Sequence, residues 1–213
     1  MSLTFDPTHI GKLELPPSLW WRVHHEQFGA VDFNPSSFGD ARFSPITRPD
    51  GTVIPTIYGG SSPEVAFMET LLHDLPSPCY GATISLPGAA DEKRRMSCIA
   101  NLDMLVLGDL RTIGLRRIGL SRQQLIDSGS SAYPISRDFA MRVHTAVPDL
   151  DGLVWHSRQL DSGKAIVLFE DRLVSHGRRV VTLHDRDDFN SEESLANCLL
   201  DLLQELGIDA LFG

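Results

Sequence analysis

Apolar residues recur along the chain in short runs that are bounded by glycine, proline and polar residues. Many of these runs have the length and the β-branched or aromatic content of strands. They are "LWWRVHH", "TVIPTIYGG", "YGATISLP", "LDMLVLGDLR", "DGLVWHS", "KAIVLFE" and "RVVTLHD", and Pro55 interrupts the second of them. The pattern therefore predicts several short strands, with a long ordered loop, "FNPSSFGDARFSP", after the first.

A helix is predicted directly after the run that ends in Gly59 and Gly60. Ser62 fits the N-cap position, and Pro63 suits the first helical turn because its missing N–H would have no partner there. Apolar residues then continue to about His73. The segment "SRQQLIDSG" predicts a further, short helix.

Two more helices are indicated nearer the C-terminus. The segment "YPISRDFAMRVHTAV" predicts an amphipathic helix that starts after Pro134 and ends before Pro148. Another helix is expected at about residues 192–206, with Ser191 as its N-cap, a stripe of leucines along one side and Gly207 at its end. That leucine stripe packs either on the core or in an interface of a homo-oligomer.

Composition and charge restrict the possible classes of protein. The 213 residues, of which 42% are hydrophobic, are enough for one α+β domain spanning residues 1–213, with mixed central β-sheets flanked by helices. A net charge of −9 argues against direct nucleic-acid binding, although it suits a basic protein partner. No apolar run is long enough to cross a membrane and no leader pattern is seen, so a cytoplasmic location is expected.

Common metal and nucleotide motifs are not found. Cys79, Cys98 and Cys198 lie far apart and are expected to be reduced, and the segment "HHEQ" lacks the spacing of a zinc-binding helix, so no metal is expected. The sequence has neither a glycine-rich phosphate loop followed by Lys-Ser/Thr nor a Gly-x-Gly-x-x-Gly turn.

Glu69 stands out because it lies within an otherwise apolar helix. Its neighbours there are Val65, Ala66, Phe67, Met68, Leu71 and Leu72. A buried carboxylate needs a cation or hydrogen-bond donors, and such groups cluster at functional sites. Arg42 is the candidate cation. A half-buried structural salt bridge is the alternative explanation for Glu69.

Two other segments offer groups that could contact a ligand. Tyr58 precedes Gly59, which could let a ligand approach the backbone closely; a strand-ending aromatic residue followed by a turn is the alternative. Ser157 lies at the end of the run "GLVWHS" but not in a Gly-x-Ser-x-Gly elbow. It is therefore either a hydroxyl that orients a ligand or an ordinary strand-end serine.

Taken together and in order, "WWRVHH", "ARFSP", "IYGGSSPEVAFMETLLHD" and "GLVWHSRQ" resemble the RES domain, which is named for its Arg, Glu and Ser. The resemblance covers roughly residues 20–169. It implies the toxin half of a bacterial toxin–antitoxin pair, a fold similar to ADP-ribosyltransferases, NAD+ as substrate without a metal or organic cofactor, and an antitoxin with an Xre-type helix-turn-helix. The toxin would degrade NAD+ and so halt growth.

The same resemblance assigns roles to residues of this chain. The family's arginine falls on Arg42, its tyrosine on Tyr58, its glutamate on Glu69 and its serine on Ser157, while Arg22 is a rival for the arginine. Glu69 would stabilise the oxocarbenium-like ribose, Arg42 would bind the pyrophosphate, and Tyr58 would contact the nicotinamide riboside end. Ser157 would bind a ribose or phosphate oxygen. Arg22 would be a second phosphate ligand or a partner of Glu69.

Several alternatives remain open at this point. The acceptor could be water or inorganic phosphate, which give hydrolysis and phosphorolysis respectively. Transfer of ADP-ribose to a protein side chain is a second enzymatic interpretation. A non-catalytic module that binds a nucleotide or a partner is an interpretation of another class. The way in which the antitoxin neutralises the toxin is also left open.

Overall fold

The computed structural model describes residues 3–73, 75, 79–86, 94–188 and 195–212. In these ranges the chain forms the following strands: β1 (Lys12–Leu15), β2 (Ser18–His25), β3 (Ile46–Thr47), β4 (Val53–Ile54), β5 (Thr56–Gly60), β6 (Thr83–Leu86), β7 (Arg94–Asn101), β8 (Leu105–Asp109), β9 (Gly152–His156), β10 (Lys164–Phe169), β11 (Val180–Asp188) and β12 (Asp209–Phe212). The helices are α1 (Pro63–Glu69), α2 (Thr112–Arg117), α3 (Arg122–Leu125), α4 (Tyr133–Ala146), α5 (Glu170–Ser175) and α6 (Leu195–Glu205).

An eight-stranded mixed sheet forms the centre of the described chain. Its strand order is β1-β8-β9-β10-β5-β2-β7-β11. Strands β8 and β9 run parallel, whereas the other neighbouring pairs are antiparallel. Two small two-stranded sheets, β12-β6 and β3-β4, lie outside it. This arrangement confirms the predicted α+β fold with a mixed sheet flanked by helices.

The two faces of the sheet pack against different groups of apolar residues. On β2, successive side chains point to opposite faces, so Trp20 packs with Ile57 and Ile99, whereas Trp21 packs on the opposite side with residues of α1 and α6 such as Phe67. A separate apolar cluster joins α2, α3 and α4 to β9 and β10. Helix α1 therefore packs against the face of the sheet that carries Trp21.

Helix α1 ends earlier than the sequence pattern predicted. Its last helical residue is Glu69, not His73, and the four residues that follow form a turn. The hydroxyl of Thr70 donates to the carbonyl of Ala66, and the N–H of Leu72 donates to the carbonyl of Phe67 at 2.9 Å. These bonds close the helix because they use carbonyls that a continuing helix would need.

Other differences concern elements that the sequence pattern did not predict, among them the short elements β1, β3, β12, α2 and α5. Strand β7 was not predicted, although it is one of the longest strands of the sheet. The predicted C-terminal helix is present as α6 from Leu195 to Glu205, and its proposed cap, Ser191, lies outside the described residues. None of the helices in the described part of the chain has the length and apolar character needed to cross a bilayer.

Candidate functional site

A cavity of about 470 Å³ lies beside β2, β5 and the C-terminal end of α1. The loop before β3 and the loop after β9 complete its walls. Five of the six residues singled out from the sequence line this cavity: Arg22, Arg42, Tyr58, Gly59 and Glu69. The fold therefore brings together residues that lie up to 47 positions apart in the chain.

Glu69 reaches the cavity because α1 starts and ends where it does. Ser62 caps the helix by accepting a hydrogen bond from the N–H of Val65, and seven residues later the helix ends at Glu69. One carboxylate oxygen of Glu69 accepts a hydrogen bond from the main-chain N–H of Arg158 at 3.3 Å. Among the described residues no cation lies within ion-pair distance of this carboxylate. The structural salt bridge considered as an alternative is therefore not observed.

Two consecutive glycines let β5 pass closely between its neighbours. A Cβ atom on Gly59 would lie 2.9 Å from the Cβ atom of Trp20, and one on Gly60 would lie 2.7 Å from the main-chain nitrogen of Ala66. Larger residues would push β5 away from β2 and α1. The glycines thereby keep Tyr58 and Glu69, which lie on either side of them in sequence, on the wall of one cavity.

Arg42 is buried, with 7% of its surface exposed, and is anchored at one end of its guanidinium. Its Nη1 atom donates to the carbonyls of Leu125 and Ser128, at 3.1 and 3.0 Å, and its guanidinium carbon lies 5.1 Å from the ring centroid of Tyr133. Burial lowers the pKa of Arg42. Arginine nevertheless keeps its charge in proteins, so this residue brings a fixed cation into the cavity wall.

Tyr58 contributes a neutral phenol to the site. Its hydroxyl oxygen accepts a hydrogen bond from the N–H of Phe43 at 3.0 Å, and its ring stands edge-on to Trp155 with 6.2 Å between centroids. Burial raises the pKa of Tyr58 to about 12. The phenol therefore stays protonated at neutral pH, where it can donate a hydrogen bond or pack against a ring but cannot act as a base.

Arg22 has a different environment from Arg42. Its Nη1 atom donates to the carbonyls of Ala30 and Asp32, at 2.8 and 3.0 Å, and burial lowers its pKa to about 10. These bonds tie the loop after β2 to the strand. In the described structure Arg22 makes no ion pair with Glu69, and its guanidinium is partly occupied by the loop.

Ser157 is fully buried and is not among the residues that line the cavity. Its hydroxyl oxygen accepts hydrogen bonds from the main-chain N–H groups of Gln159 and Leu160, both at 3.3 Å. Such a serine turn shapes the local backbone. Ser157 thus forms the turn that places Arg158 and Gln159 at the cavity, and its proposed contact with a ligand stays a prediction.

The cavity also contains cations that were not singled out from the sequence. The arginines lining it are Arg22, Arg42, Arg94 and Arg158, against the carboxylates Asp32, Asp40 and Glu69. Arg158 could have been found because it follows Ser157 in the same motif, whereas Arg94 lies on the unpredicted strand β7. A chain with a net charge of −9 therefore has a cavity with a local excess of positive side chains, which suits an anionic ligand.

A sequence model of the RES domain matches residues 19–188, which includes every residue of the site described above. A search of curated proteins found no match. In the described part of the chain no group of three or more His, Cys, Asp or Glu residues is arranged to hold a metal ion. Because the family match covers most of the sequence, the chain belongs to the RES domain family.

Proposed function

We propose that this protein is the toxin of a toxin–antitoxin pair and that it cleaves the nicotinamide–ribose bond of NAD+. The RES domain is associated with NAD-processing enzymes, which supports this choice of substrate. The observation that carries the proposal is the position of Glu69. Its carboxylate lines a cavity rich in arginine, yet its hydrogen-bond donor in the described structure is a main-chain N–H and not a cation.

This arrangement suits the chemistry of the reaction. When the C–N bond breaks, its electron pair stays with the nicotinamide nitrogen and neutralises the pyridinium, while the ribose carbon becomes positive. A carboxylate stabilises such an oxocarbenium-like centre, and it does so more strongly when no cation forms a direct ion pair with it. Glu69 meets this condition.

The other side chains of the cavity have complementary roles in the proposal. Arg42 binds a phosphate oxygen through the part of its guanidinium that Leu125 and Ser128 do not occupy. Tyr58, as a neutral phenol, contacts the nicotinamide riboside end. Ser157 supports the loop that holds Glu69 through Arg158.

The reaction is completed by an acceptor that attacks the ribose carbon. With water the products are nicotinamide, ADP-ribose and a proton. With inorganic phosphate they are nicotinamide and ADP-ribose phosphorylated at the same ribose carbon. Neither route needs a redox partner, because the bond pair leaves with nicotinamide.

An Xre-type antitoxin with a helix-turn-helix is the proposed partner. Its basic DNA-contacting segments would be complementary to a chain with a net charge of −9. Co-purification of the two proteins from cells that express both would test the pairing. Growth arrest on expression of the toxin alone, and its relief by the partner, would test the toxin role.

The test of the activity is a time course of NAD+ with purified protein, with and without inorganic phosphate, followed by mass spectrometry. Release of nicotinamide with ADP-ribose is expected for hydrolysis, and release with phosphorylated ADP-ribose for phosphorolysis. Appearance of the ADP-ribose label on protein would instead support protein modification. Unchanged NAD+ in a folded, antitoxin-free sample would overturn the proposed cleavage.

A further inference from the structure

We infer that the side chain of Arg158 binds the diphosphate of the substrate, so that the cavity selects nucleotides with a diphosphate bridge over nucleosides. This inference rests on the proposed function, because it concerns the same cavity. It assigns a binding role to the residue next to Ser157, which the sequence motifs do not indicate as a ligand-binding residue.

The main chain at Arg158 is held from both sides. Its own N–H donates to Glu69 at 3.3 Å. The carbonyls of the two preceding residues, His156 and Ser157, accept hydrogen bonds from Arg122 at 3.3 and 3.4 Å. Arg122 belongs to α3, the helix whose C-terminal end also binds Arg42. The backbone of Arg158 is therefore fixed relative to Arg42 and Glu69.

The side chain of Arg158 differs from those of the other arginines in the cavity. Arg22 and Arg42 each use Nη1 to bind main-chain carbonyls. The guanidinium of Arg158, by contrast, makes no hydrogen bond or ion pair with any residue that the structure describes, although it is partly buried on the cavity wall. A partly desolvated cation without a protein partner favours an anionic ligand.

The carboxylates of the cavity do not neutralise Arg158. Asp32 accepts a hydrogen bond from the N–H of Gly29 at 2.7 Å, and Asp40 binds Arg137 at 3.0 Å. Glu69 contacts Arg158 only through the main-chain N–H among the described contacts. The positive charge is therefore available to a ligand.

Arg42 and Arg158 also act on one another. The pKa of Arg42 is lowered mainly by burial; among the charged side chains of the cavity, Glu69 raises it and Arg158 lowers it. Two guanidinium groups on the wall of one cavity repel each other. A diphosphate, with two negative charges, would relieve that repulsion and accept hydrogen bonds from both groups.

Arg158 would then contact both the catalytic carboxylate and the substrate. The N–H of Arg158 orients the Glu69 carboxylate, and the guanidinium of Arg158 binds the diphosphate. The distance from the diphosphate to the ribose carbon is fixed by the chemistry of the substrate. Arg158 would consequently set the ribose carbon at a defined position relative to Glu69.

The kinetic test compares Arg158→Ala, Arg158→Lys and the control Arg116→Ala with the unaltered protein. Arg116 is an exposed residue of α2 that does not line the cavity, so its removal changes the net charge equally. The alanine at position 158 keeps the N–H that binds Glu69. We expect the KM for NAD+ to rise roughly 10- to 100-fold in Arg158→Ala, with partial recovery in Arg158→Lys and no change in the control.

The substrate that separates binding from catalysis is nicotinamide riboside, which has the same scissile bond but no diphosphate. We expect its kcat/KM to change less than about twofold in Arg158→Ala, because a charge-assisted contact to phosphate is not made with it. An equal loss of kcat/KM for both substrates would overturn the inference.

A binding measurement keeps this inference separate from the proposed reaction. Calorimetry with ADP-ribose requires no turnover, and the affinity is expected to fall roughly 10- to 100-fold in Arg158→Ala but not in Arg116→Ala. If ADP-ribose binding falls in Arg158→Ala alone, yet the unaltered protein leaves NAD+ intact, the proposed cleavage fails and the binding role of Arg158 stands. If ADP-ribose fails to bind the unaltered protein, or binds a folded Arg158→Ala variant equally well, the inference is overturned.

Discussion

Two clusters of charged side chains in this molecule are arranged in opposite ways. In the cluster around Asp171, the carboxylate binds Nη2 of Arg48 at 2.5 Å and lies 3.0 Å from Nε2 of His144, while Arg172 donates to the carbonyl of His144 at 2.7 Å. In the cavity, by contrast, Glu69 forms no ion pair with Arg42 or Arg158 among the described contacts.

The difference separates a structural role from a binding role. Burial alone would raise the pKa of Asp171, but the hydrogen bond from His144 and the positive charges of Arg48 and Arg172 hold it below its usual value. Those charges stabilise the folded chain. Charges that are desolvated but not paired are instead unfavourable for folding, and proteins retain them where a ligand supplies the missing partner.

The largest expected effect is that of Glu69→Gln on the activity. We expect NAD+ consumption to fall about 100-fold or more, because the amide cannot stabilise a positive ribose carbon as a carboxylate does. Thermal unfolding should change little, since the amide oxygen can still accept the N–H of Arg158. Glu64→Gln, on the same helix but outside the cavity, is the matched control. Equal NAD+ consumption by a folded Glu69→Gln variant would show that the carboxylate has no catalytic role.

The opposite result is expected for Asp171→Asn. Loss of a carboxylate that pairs with Arg48 and is hydrogen-bonded to His144 should lower the free energy of unfolding by about 2 kcal/mol at neutral pH, while the KM for NAD+ stays unchanged. Denaturant unfolding measures this loss, and Asp201→Asn, an exposed position on α6, controls for charge. A variant as stable as the unaltered protein would show that the pairing contributes nothing.

The stability difference between the unaltered protein and Asp171→Asn is expected to depend on pH. The pKa of Asp171 is lower in the folded than in the unfolded chain, so its stabilisation is present above the unfolded pKa of about 3.9 and is lost as the pH falls through the folded value. The difference in unfolding free energy between the two proteins should therefore shrink below about pH 4. A difference that stays constant in acid would contradict the assignment.

A smaller effect is expected from salt. Salt ions compete with an anionic ligand for the partly exposed guanidinium of Arg158, so the KM for NAD+ should rise about threefold between roughly 50 mM and 500 mM salt. The stability difference caused by Asp171→Asn should change less, because its pairs are in direct contact and partly buried. A KM that is independent of salt would argue against unpaired cations in the cavity.

A further modest effect, on stability alone, is expected for Tyr58→Phe. Loss of the oxygen that accepts the N–H of Phe43 should cost about 1 kcal/mol of unfolding free energy below pH 10. Because the folded pKa is about 12 and the unfolded value about 10, the unfolded state loses its proton first, and the advantage of tyrosine should decrease as the pH rises from 10 towards 12. Denaturant unfolding of both proteins at several pH values measures this, and a constant difference up to pH 11 would contradict it.

Strand β7 illustrates what the sequence pattern could not predict. Its residues, "RRMSCIAN", show no alternation of polar and apolar positions because both faces are covered in the sheet. Ser97 is fully buried there, and its hydroxyl lies 2.8 Å from Nε2 of His24 on the neighbouring strand. Missing this strand also meant missing Arg94 as a lining residue.

The end of helix α1 illustrates a limit of another kind. Ser62 and Pro63 defined its start correctly because a cap acts within one turn of the chain. Apolar residues continue past Glu69, so the pattern extended the helix. The helix is ended by the hydrogen bond from the N–H of Leu72 to the carbonyl of Phe67, which replaces a bond of the continuing helix. This hydrogen bond depends on how Leu72 packs in the core.

The sequence by itself determined the types of most elements, the start of α1, and the residues that could serve as arginine, tyrosine and glutamate of a site. These properties depend on neighbours within a few positions. Only the tertiary structure decided which charges are paired, because the contacts of Arg42 with Leu125 and of Glu69 with Arg158 join residues 83 and 89 positions apart. Pairing is the property on which function depends here, since a charge that an oppositely charged side chain neutralises stabilises the fold, whereas a guanidinium that keeps unoccupied donors can bind a ligand.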